Sequence, residues 1–418
     1  MRILVLNAGS SSLKCNLYGA DGQNVDEDWI WQAEADWKDL PGPASVRIGQ
    51  ANGGGIESEV RIDSLEAITE HVLRSLASQE APAIQSFRDI DIVGHRVVHG
   101  GERYRQATPL TAEVRAGIRE LAPFAPLHNP LALAVIEATD RILAPYTEQI
   151  AVFDTAFHAT LPPQSYVYPG PADWAGRGLR RYGFHGISHQ YIGAKTAEIL
   201  KKDSRGLRIV TCHLGNGCSL CAIGGGKSLE TTMGFTPLEG LMMGSRSGTV
   251  DPGLVIYLLK QEDFSAESVD RLLNRDSGLK GLSGISSDLR QVQAAADAGN
   301  QQAEQALQVY TYRLAYFISA LLPALGGLDA LAFAGGVGEN SWAIRERVCR
   351  QLNFLGVFLN HVCNREPQGD CVISSENSQV AVLRVRTREN LQIARECLRL
   401  KAAARRGSGD SSQSRFHL

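Results

Sequence analysis

Two distant segments of this chain repeat one plan. V-L-N-A-G-S-S-S-L-K-C at 5–15 and T-C-H-L-G-N-G-C-S-L-C at 211–221 each read as an apolar strand, a turn of small and polar residues, and a second strand containing Ser-Leu. A repeated supersecondary unit implies related domains. Around each copy strands alternate with helices, the order of an α/β protein. The first series has strands at 2–6 and 13–18, a helix at 64–78 capped by Ser64, a strand at 91–98, helices at 111–121 and 130–143, and a strand at 149–153. The second has strands at 207–213 and 218–223 and helices at 252–261 and 300–322. A last helix, 389–405, is expected to return to the first domain. The polar stretch 20–60, with Trp29, Trp31, Trp37 and the turn A-N-G-G-G at 51–55, is expected to form peripheral hairpins.

At 418 residues the chain is too long for one ordinary core. Its 42 Lys and Arg against 45 Asp and Glu leave no global field to hold nucleic acid or an anionic membrane, so an anionic substrate must be gripped locally. Eight scattered cysteines lack the paired spacing of a disulfide scaffold or zinc site. The pair Cys218 and Cys221 falls in an apolar segment and reads as buried strand cysteines. The N-terminal apolar run stops at Asn7, too short for a signal-peptide core, and no 18 apolar residues run together. A cytoplasmic protein without membrane contact is expected.

G-G-G-K-S at 224–228 invites a P-loop reading, but the first glycine of that pattern is replaced by Cys221, and a hairpin turn fits better. Three other turns follow apolar strands: N-A-G-S-S-S at 7–12, H-L-G-N-G at 213–217 and A-G-G-V-G-E-N at 334–340. Glycine there lets backbone N–H groups converge on phosphate oxygens.

These turns, with G-H-R-V-V-H-G-G-E (94–102), F-D-T-A-F-H (153–158), R-Y-G-F-H-G-I-S-H (181–189) and M-G-F-T-P-L-E-G-L-M-M-G-S-R-S-G (233–248), resemble the acetokinase family of acetate, propionate and butyrate kinases in sequence and order. The resemblance implies two duplicated ribonuclease H-like domains of the actin, Hsp70 and sugar kinase type around a nucleotide cleft. The expected N-terminal domain is 1–154 plus about 390–406, the nucleotide-binding domain 155–389, and the Ser- and Gly-rich tail 407–418 flexible. It further implies phosphoryl transfer between ATP and acetate, giving ADP and acetyl phosphate, with Mg²⁺, or Mn²⁺ in its place, and a homodimer.

The same resemblance assigns residues. Arg96 binds acetate, His185 and Arg246 stabilise the transition state, and Asp154 is catalytic. Acetate is already ionised near neutral pH, so Asp154 is expected to orient Mg²⁺ or its waters rather than to move a proton. Val98, Leu127, His128, Phe184 and Pro237 line the acetate end. ATP is assigned to Ser10, Ser12, Lys14, His213, Leu214, Gly215, Asn216, Gly217, Asp288, Leu289, Arg290, Gly336, Val337, Gly338, Glu339 and Asn340, and the metal to Asn7 and Glu389. His189, four residues after His185, lacks companions for a metal site.

Two departures stand out. The family commonly reads T-N-E-E where this chain has T-R-E-N at 387–390, which sets Arg388 beside Glu389; and Thr249 replaces a frequent Asp, with no expected loss of chemistry. The competing readings are a propionate or butyrate kinase, and a nucleotide-driven binding module of the Hsp70 or actin kind. The module reading leaves Arg96, His128, His185 and Arg246 without a role.

Overall fold

The run Ile3 to Leu6 has no exposed residue, so its strand must lie in the middle of a covered sheet. The computed structural model describes residues 1–51, 53–77, 82–143 and 145–410, with side chains to 405. The chain divides into two units, one of residues 1–156 and 388 onward, the other of 157–387.

In the first unit, β1 (Arg2–Ala8), β2 (Ser12–Ala20), β3 (Val25–Trp37), β4 (Gly42–Gln50) and β5 (Gly55–Ile62) form an antiparallel meander. Helix α1 (Leu65–Ser75) follows, its first turn capped by the Ser64 hydroxyl, which accepts from Ala67 N–H. Then come β6 (Ile92–Val97), β7 (Thr108–Pro109), α2 (Ala112–Glu120), α3 (Asn129–Leu143) and β8 (Glu148–Phe153). The sheet order is β5-β4-β3-β2-β1-β6-β8-β7, with β1, β6 and β8 parallel. Leu4 and Leu6 belong to a core with α1 and α3 residues such as Val72, Val135 and Leu143. The C-terminal helix Glu389–Asp410 lies directly over Gly94, where a Cβ would stand 2.7 Å from Cys397 Sγ and 2.8 Å from Ile393. Glycine is required there for this close approach.

The second unit contains α4 (Pro163–Tyr166), α5 (Gly186–Ile199), β9 (Arg208–Leu214), β10 (Cys218–Gly224), β11 (Lys227–Thr231), α6 (Pro252–Leu259), α7 (Ala266–Arg275) and α8 (Gly278–Ser283). It continues with α9 (Leu289–Asp297), α10 (Gln301–Ala320), α11 (Leu322–Leu325), β12 (Ala330–Ala334), α12 (Gly335–Asn340), α13 (Trp342–Gln351), α14 (His361–Arg365), β13 (Cys371–Val372) and β14 (Ala381–Arg384). Its sheet order is β11-β10-β9-β12-β14-β13. The series β11-β10-β9-β12-β14 has the same strand directions as β3-β2-β1-β6-β8: two antiparallel steps, then two parallel ones. The repeat seen in the sequence is therefore a repeat of topology. Residues 224–228 form the β10–β11 hairpin, with Gly225 and Gly226 at φ 60° and 74°, and not a P-loop.

Three expectations change. Residues 25–62 are not peripheral: β3 to β5 extend the main sheet, and Trp31 is completely buried in the core. Gly335–Asn340, expected as a turn, forms the short helix α12. The helix expected to stop at 405 runs to Asp410, carrying the first residues of the expected tail, while 411–418 lie outside the described residues. Among the described residues no helix is long and apolar enough to cross a membrane.

The Trp31 indole N–H has no hydrogen-bond partner among the described residues, so its contribution is volume and apolar area. Trp31→Phe, which keeps most of the ring volume, should cost clearly less than Trp31→Ala, which should cost about 3–5 kcal/mol, read from urea unfolding; equal costs would contradict this packing account.

Candidate active site

In the first unit, adjacent parallel strands β1, β6 and β8 bring Asn7, Arg96 and Asp154 together, Asp154 directly following β8. Arg96 directs Nε and Nη2 onto one oxygen, Asp154 Oδ2, at 3.1 and 2.5 Å, and sets Nη1 3.4 Å from Asn7 Oδ1. Asp154 is only 1% exposed. Burial alone would lower the Arg96 pKa, but Asp154 and Glu389 together more than reverse this, so the guanidinium is held firmly charged. One edge of its fork is occupied by Asp154.

Asn7 Nδ2 donates to Glu389 Oε2 at 3.2 Å and to Asn390 Oδ1 at 3.0 Å, and Asn390 donates on to Asn16 Oδ1 at 2.6 Å. Asn7, Glu389 and Asp154 carry hard oxygen donors, the ligand type that Mg²⁺ takes. Arg388 Nη1 donates to the Glu27 carbonyl at 3.1 Å. Asn390, where the family commonly has Glu, supplies a neutral amide to Asn7.

Elsewhere in this unit, Ser10 and Lys14 are exposed and Ser12 half-buried, with Gly9 N–H closing the turn onto the Ser12 carbonyl. Lys14 pairs with Glu34 at 3.2 Å. Val98 is buried, His128 half-buried, and Leu127 is 55% exposed.

The second unit holds His185 in a left-handed conformation, φ 57° and ψ 24°, immediately before α5. Local sequence enforces it. Gly183, at φ 77°, could not carry a Cβ, which would stand 2.6 Å from Thr231 and 2.8 Å from the His158 ring. The Phe184 carbonyl accepts from His158 Nε2 at 3.0 Å. Because a carbonyl cannot donate, His158 carries its proton on Nε2 and its Nδ1 accepts from Ser228 at 2.8 Å. Burial, helped by Arg181 and opposed by the Phe184 bond, pushes the His158 pKa down to about 4. The Phe184 ring is 2% exposed and belongs to the interior.

His185 Nδ1 lies 2.8 Å from Ser219 Oγ, and its ring centroid is 4.2 Å from that of His213, the planes tilted by 32°. Arg246 donates Nη1 to the Pro237 carbonyl at 3.1 Å. Both groups border Gly217: a Cβ there would be 3.5 Å from Arg246 Nη1 and 3.5 and 3.6 Å from His185 Cε1 and Nε2. The absent side chain leaves room for a small anion between a guanidinium and an imidazole. Burial lowers the Arg246 pKa, with Cys218 a partial offset, but arginine remains a cation.

Beside this cluster is a cavity of about 1340 Å³ lined by Gly215, Asn216, Asp288, Leu289, Arg290, Gly336, Val337 and Asn340 among others. Gly335, at φ 75°, brings α12 so close to β9 that a Cβ would meet the Leu214 backbone at 2.7 Å. Asp288 caps α9 and pairs with Arg290 at 2.6 Å. Leu214, Gly338 and Glu339 do not line the cavity: Leu214 is buried in β9, and Glu339 accepts from Thr387 N–H at 2.8 Å. Thr249 Oγ1 accepts from Gly240 N–H at 2.9 Å and closes the 240–249 loop without a carboxylate.

Several residues escaped the sequence reading. Arg181 donates to the carbonyls of Thr231, Thr232 and Met233 and to Glu239, holding the loop that carries Pro237. Its place at the head of R-Y-G-F-H was the available signal. Trp342, with Arg365 4.5 Å over its ring, walls the cavity directly after G-E-N-S. Ser219 and Thr211, on β10 and β9, carried no visible signal. His189 spends both ring nitrogens on them, at 2.7 and 2.8 Å. All eight cysteines are free thiols.

The profile of the Acetokinase family matches residues 2–395. The acetate kinase of Gloeobacter violaceus is 50% identical over 400 residues, covering 95% of this chain and 98% of that one. The crystal structure of Porphyromonas gingivalis acetate kinase superposes with a TM-score of 0.86 at 40% identity, covering 94% of this chain and 98% of that one. A propionate kinase from Francisella tularensis gives the same TM-score at 34% identity and the same coverage. This chain belongs to the acetokinase family.

Proposed function

We propose that the chain is an acetate kinase that moves the γ-phosphoryl group of ATP to acetate, reversibly, in one in-line step. An acetate oxygen attacks the γ-phosphorus, the bond to the β,γ-bridging oxygen breaks, and ADP leaves. The observation that carries the reading is the convergence of His185 and Arg246 on the side-chain-free Gly217. A loose, highly anionic transition state needs positioned cationic donors more than covalent help.

The roles follow from each group's chemistry. Arg96 takes the acetate carboxylate on its Nη1 side, and Val98, two residues on, limits the length of the acid. The cavity beside α9, α12 and α13 takes the nucleotide. Asn7 and Glu389 would hold Mg²⁺, which when bound would offset charge on the phosphate oxygens, and Asp154, which fixes Arg96, would orient its waters. Free thiols throughout support a cytoplasmic setting. A second reading, a propionate kinase, is supported by the equally good superposition on the Francisella protein.

A homodimer is proposed from the surface of the second unit. In α6, P-G-L-V-I-Y-L-L, no residue is buried, and Leu254, Ile256, Tyr257 and Leu259 are exposed. Exposed Tyr312 and Tyr316 lie on α10, whose Arg313 donates to the Thr249 carbonyl just before α6. An apolar surface of this kind needs a partner, and a second copy supplies one.

ATP turnover with acetate, with acyl phosphate trapped by hydroxylamine, tests the activity itself. His185→Ala and Arg246→Ala should lower kcat about 10²- to 10³-fold; a raised KM for ATP with unchanged kcat would refute the assignment. In kcat/KM, acetate should lead propionate roughly ten-fold, since one methylene is worth about 1–3 kcal/mol, with butyrate poor and the gap narrowed in Val98→Ala. A preference for butyrate, or unaltered ratios in the variant, would refute the Val98 limit. Light scattering should give a dimer for the wild type and a monomer for Ile256→Lys combined with Tyr257→Glu; a monomeric wild type removes the dimer.

A further inference from the structure

His185 reaches into the interior through a string of hydrogen bonds that the transfer chemistry does not itself use. Its Nδ1 is 2.8 Å from Ser219 Oγ, Ser219 Oγ is 2.7 Å from His189 Nε2, and His189 Nδ1 is 2.8 Å from Thr211 Oγ1. Thr211 Oγ1 ends the string by donating to the Cys221 carbonyl at 3.3 Å. Each hydroxyl has one proton to give, so the string has a direction.

The carbonyl fixes that direction, because it can only accept. With its proton on Cys221, Thr211 must accept from His189 Nδ1–H. A neutral His189 then has a bare Nε2, which takes the Ser219 proton. Ser219 in turn accepts from His185 Nδ1–H. The reverse order would have Ser219 donate to His185 Nδ1, put the proton of neutral His185 on Nε2, and forfeit the bond to the carbonyl.

Resting on the reading of His185 as a donor to the transferring phosphoryl group, we propose that His189 is a positioning residue that acts through Ser219. It holds the proton of His185 on Nδ1, so that Nε2 donates to phosphoryl oxygens only when the imidazole is a cation. Two observations support this beyond the distances. His189 is fully buried, and burial, with His158 and His213 nearby, holds it neutral, so the string transmits direction rather than charge. The backbone at His185 is held at φ 57°, with the preceding Phe184 carbonyl fixed by His158 Nε2 at 3.0 Å, so the ring hangs from an anchored main chain.

The titratable and charged groups facing His185 include the Arg246 guanidinium across Gly217, the tilted His213 ring, and His189 behind Ser219, with His158 5.8 Å beyond His189. Arg246 opposes a second cation in the empty site, and phosphate oxygens favour it. Charging of His185 is therefore linked to substrate binding, and kcat should fall as pH rises through the titration of His185.

The direct test is nitrogen NMR of the full chain labelled at histidine, with His185 identified by the signal lost in His185→Gln. Above its titration, wild-type His185 should show an N–H nitrogen at δ1 and a bare one at ε2; the opposite pattern overturns the proposal. In Ser219→Ala the imidazole regains its ordinary preference for Nε2–H. That variant should show a kcat about 10- to 100-fold lower, the scale of losing an orienting partner, and a flattened alkaline limb. Ser219→Thr, which keeps the hydroxyl, should retain the wild-type limb. An alkaline limb unchanged in Ser219→Ala overturns the proposal, and should that variant not fold, the wild-type tautomer decides alone. The tautomer is read without turnover, so its failure is distinct from a failure of the kcat test on His185→Ala.

Discussion

A non-glycine residue at φ 57° is strained by about 1–3 kcal/mol, and His185 is kept there by its surroundings. The bulk-free Gly183 allows the chain to pass against Thr231, the His158 imidazole fixes the preceding carbonyl, and Ser219 takes the ring. Each of these partners depends on another element: Ser219 on the β9–β10 register that sets it opposite His213, His158 on Ser228 in β11. The three antiparallel strands of the second sheet thus serve as the frame that orients one imidazole. Strain stored at a site and compensated by a rigid frame is the usual form of pre-organisation.

The first unit uses a different device. Arg96 and Asp154 are nearly removed from water, and each would be costly there without the other. Binding both guanidinium contacts to one carboxylate oxygen fixes the plane of the fork. Asn7, tied to Glu389 and Asn390 from the C-terminal helix, fixes the position of its remaining nitrogen. The last helix is therefore part of the site and not merely a cover for the sheet, which explains why the substitution in T-R-E-N bears on Asn7 rather than on the fold.

Much of this was legible in the sequence because it depends on local chemistry. The doubled strand, turn and strand motif, the Ser64 cap and the Gly225-Gly226 hairpin are each specified by a few neighbouring residues. Helix α5 was missed because it is buried on almost every side, with Ile187, His189, Tyr191, Ile192 and Thr196 all inside, so it has no apolar stripe of period 3.6. Trp31 was misplaced because alternation in β3 is masked by a bulge and by polar residues on the outer face of a sheet whose extent depends on distant pairing. The roles of Ser219, Thr211 and Arg181 are tertiary facts: a serine in an apolar strand is silent until its imidazole partners are in place.

If His185 is a donor, its Nε2 never bonds covalently to phosphorus; if it were a nucleophile, the same nitrogen would carry the phosphoryl group between ATP and acetate. Stereochemistry separates the two. With ATP made chiral at its γ-phosphorus, a single in-line transfer inverts the configuration in acetyl phosphate, as this account predicts, whereas retention would require a phosphorylated enzyme intermediate and would contradict it.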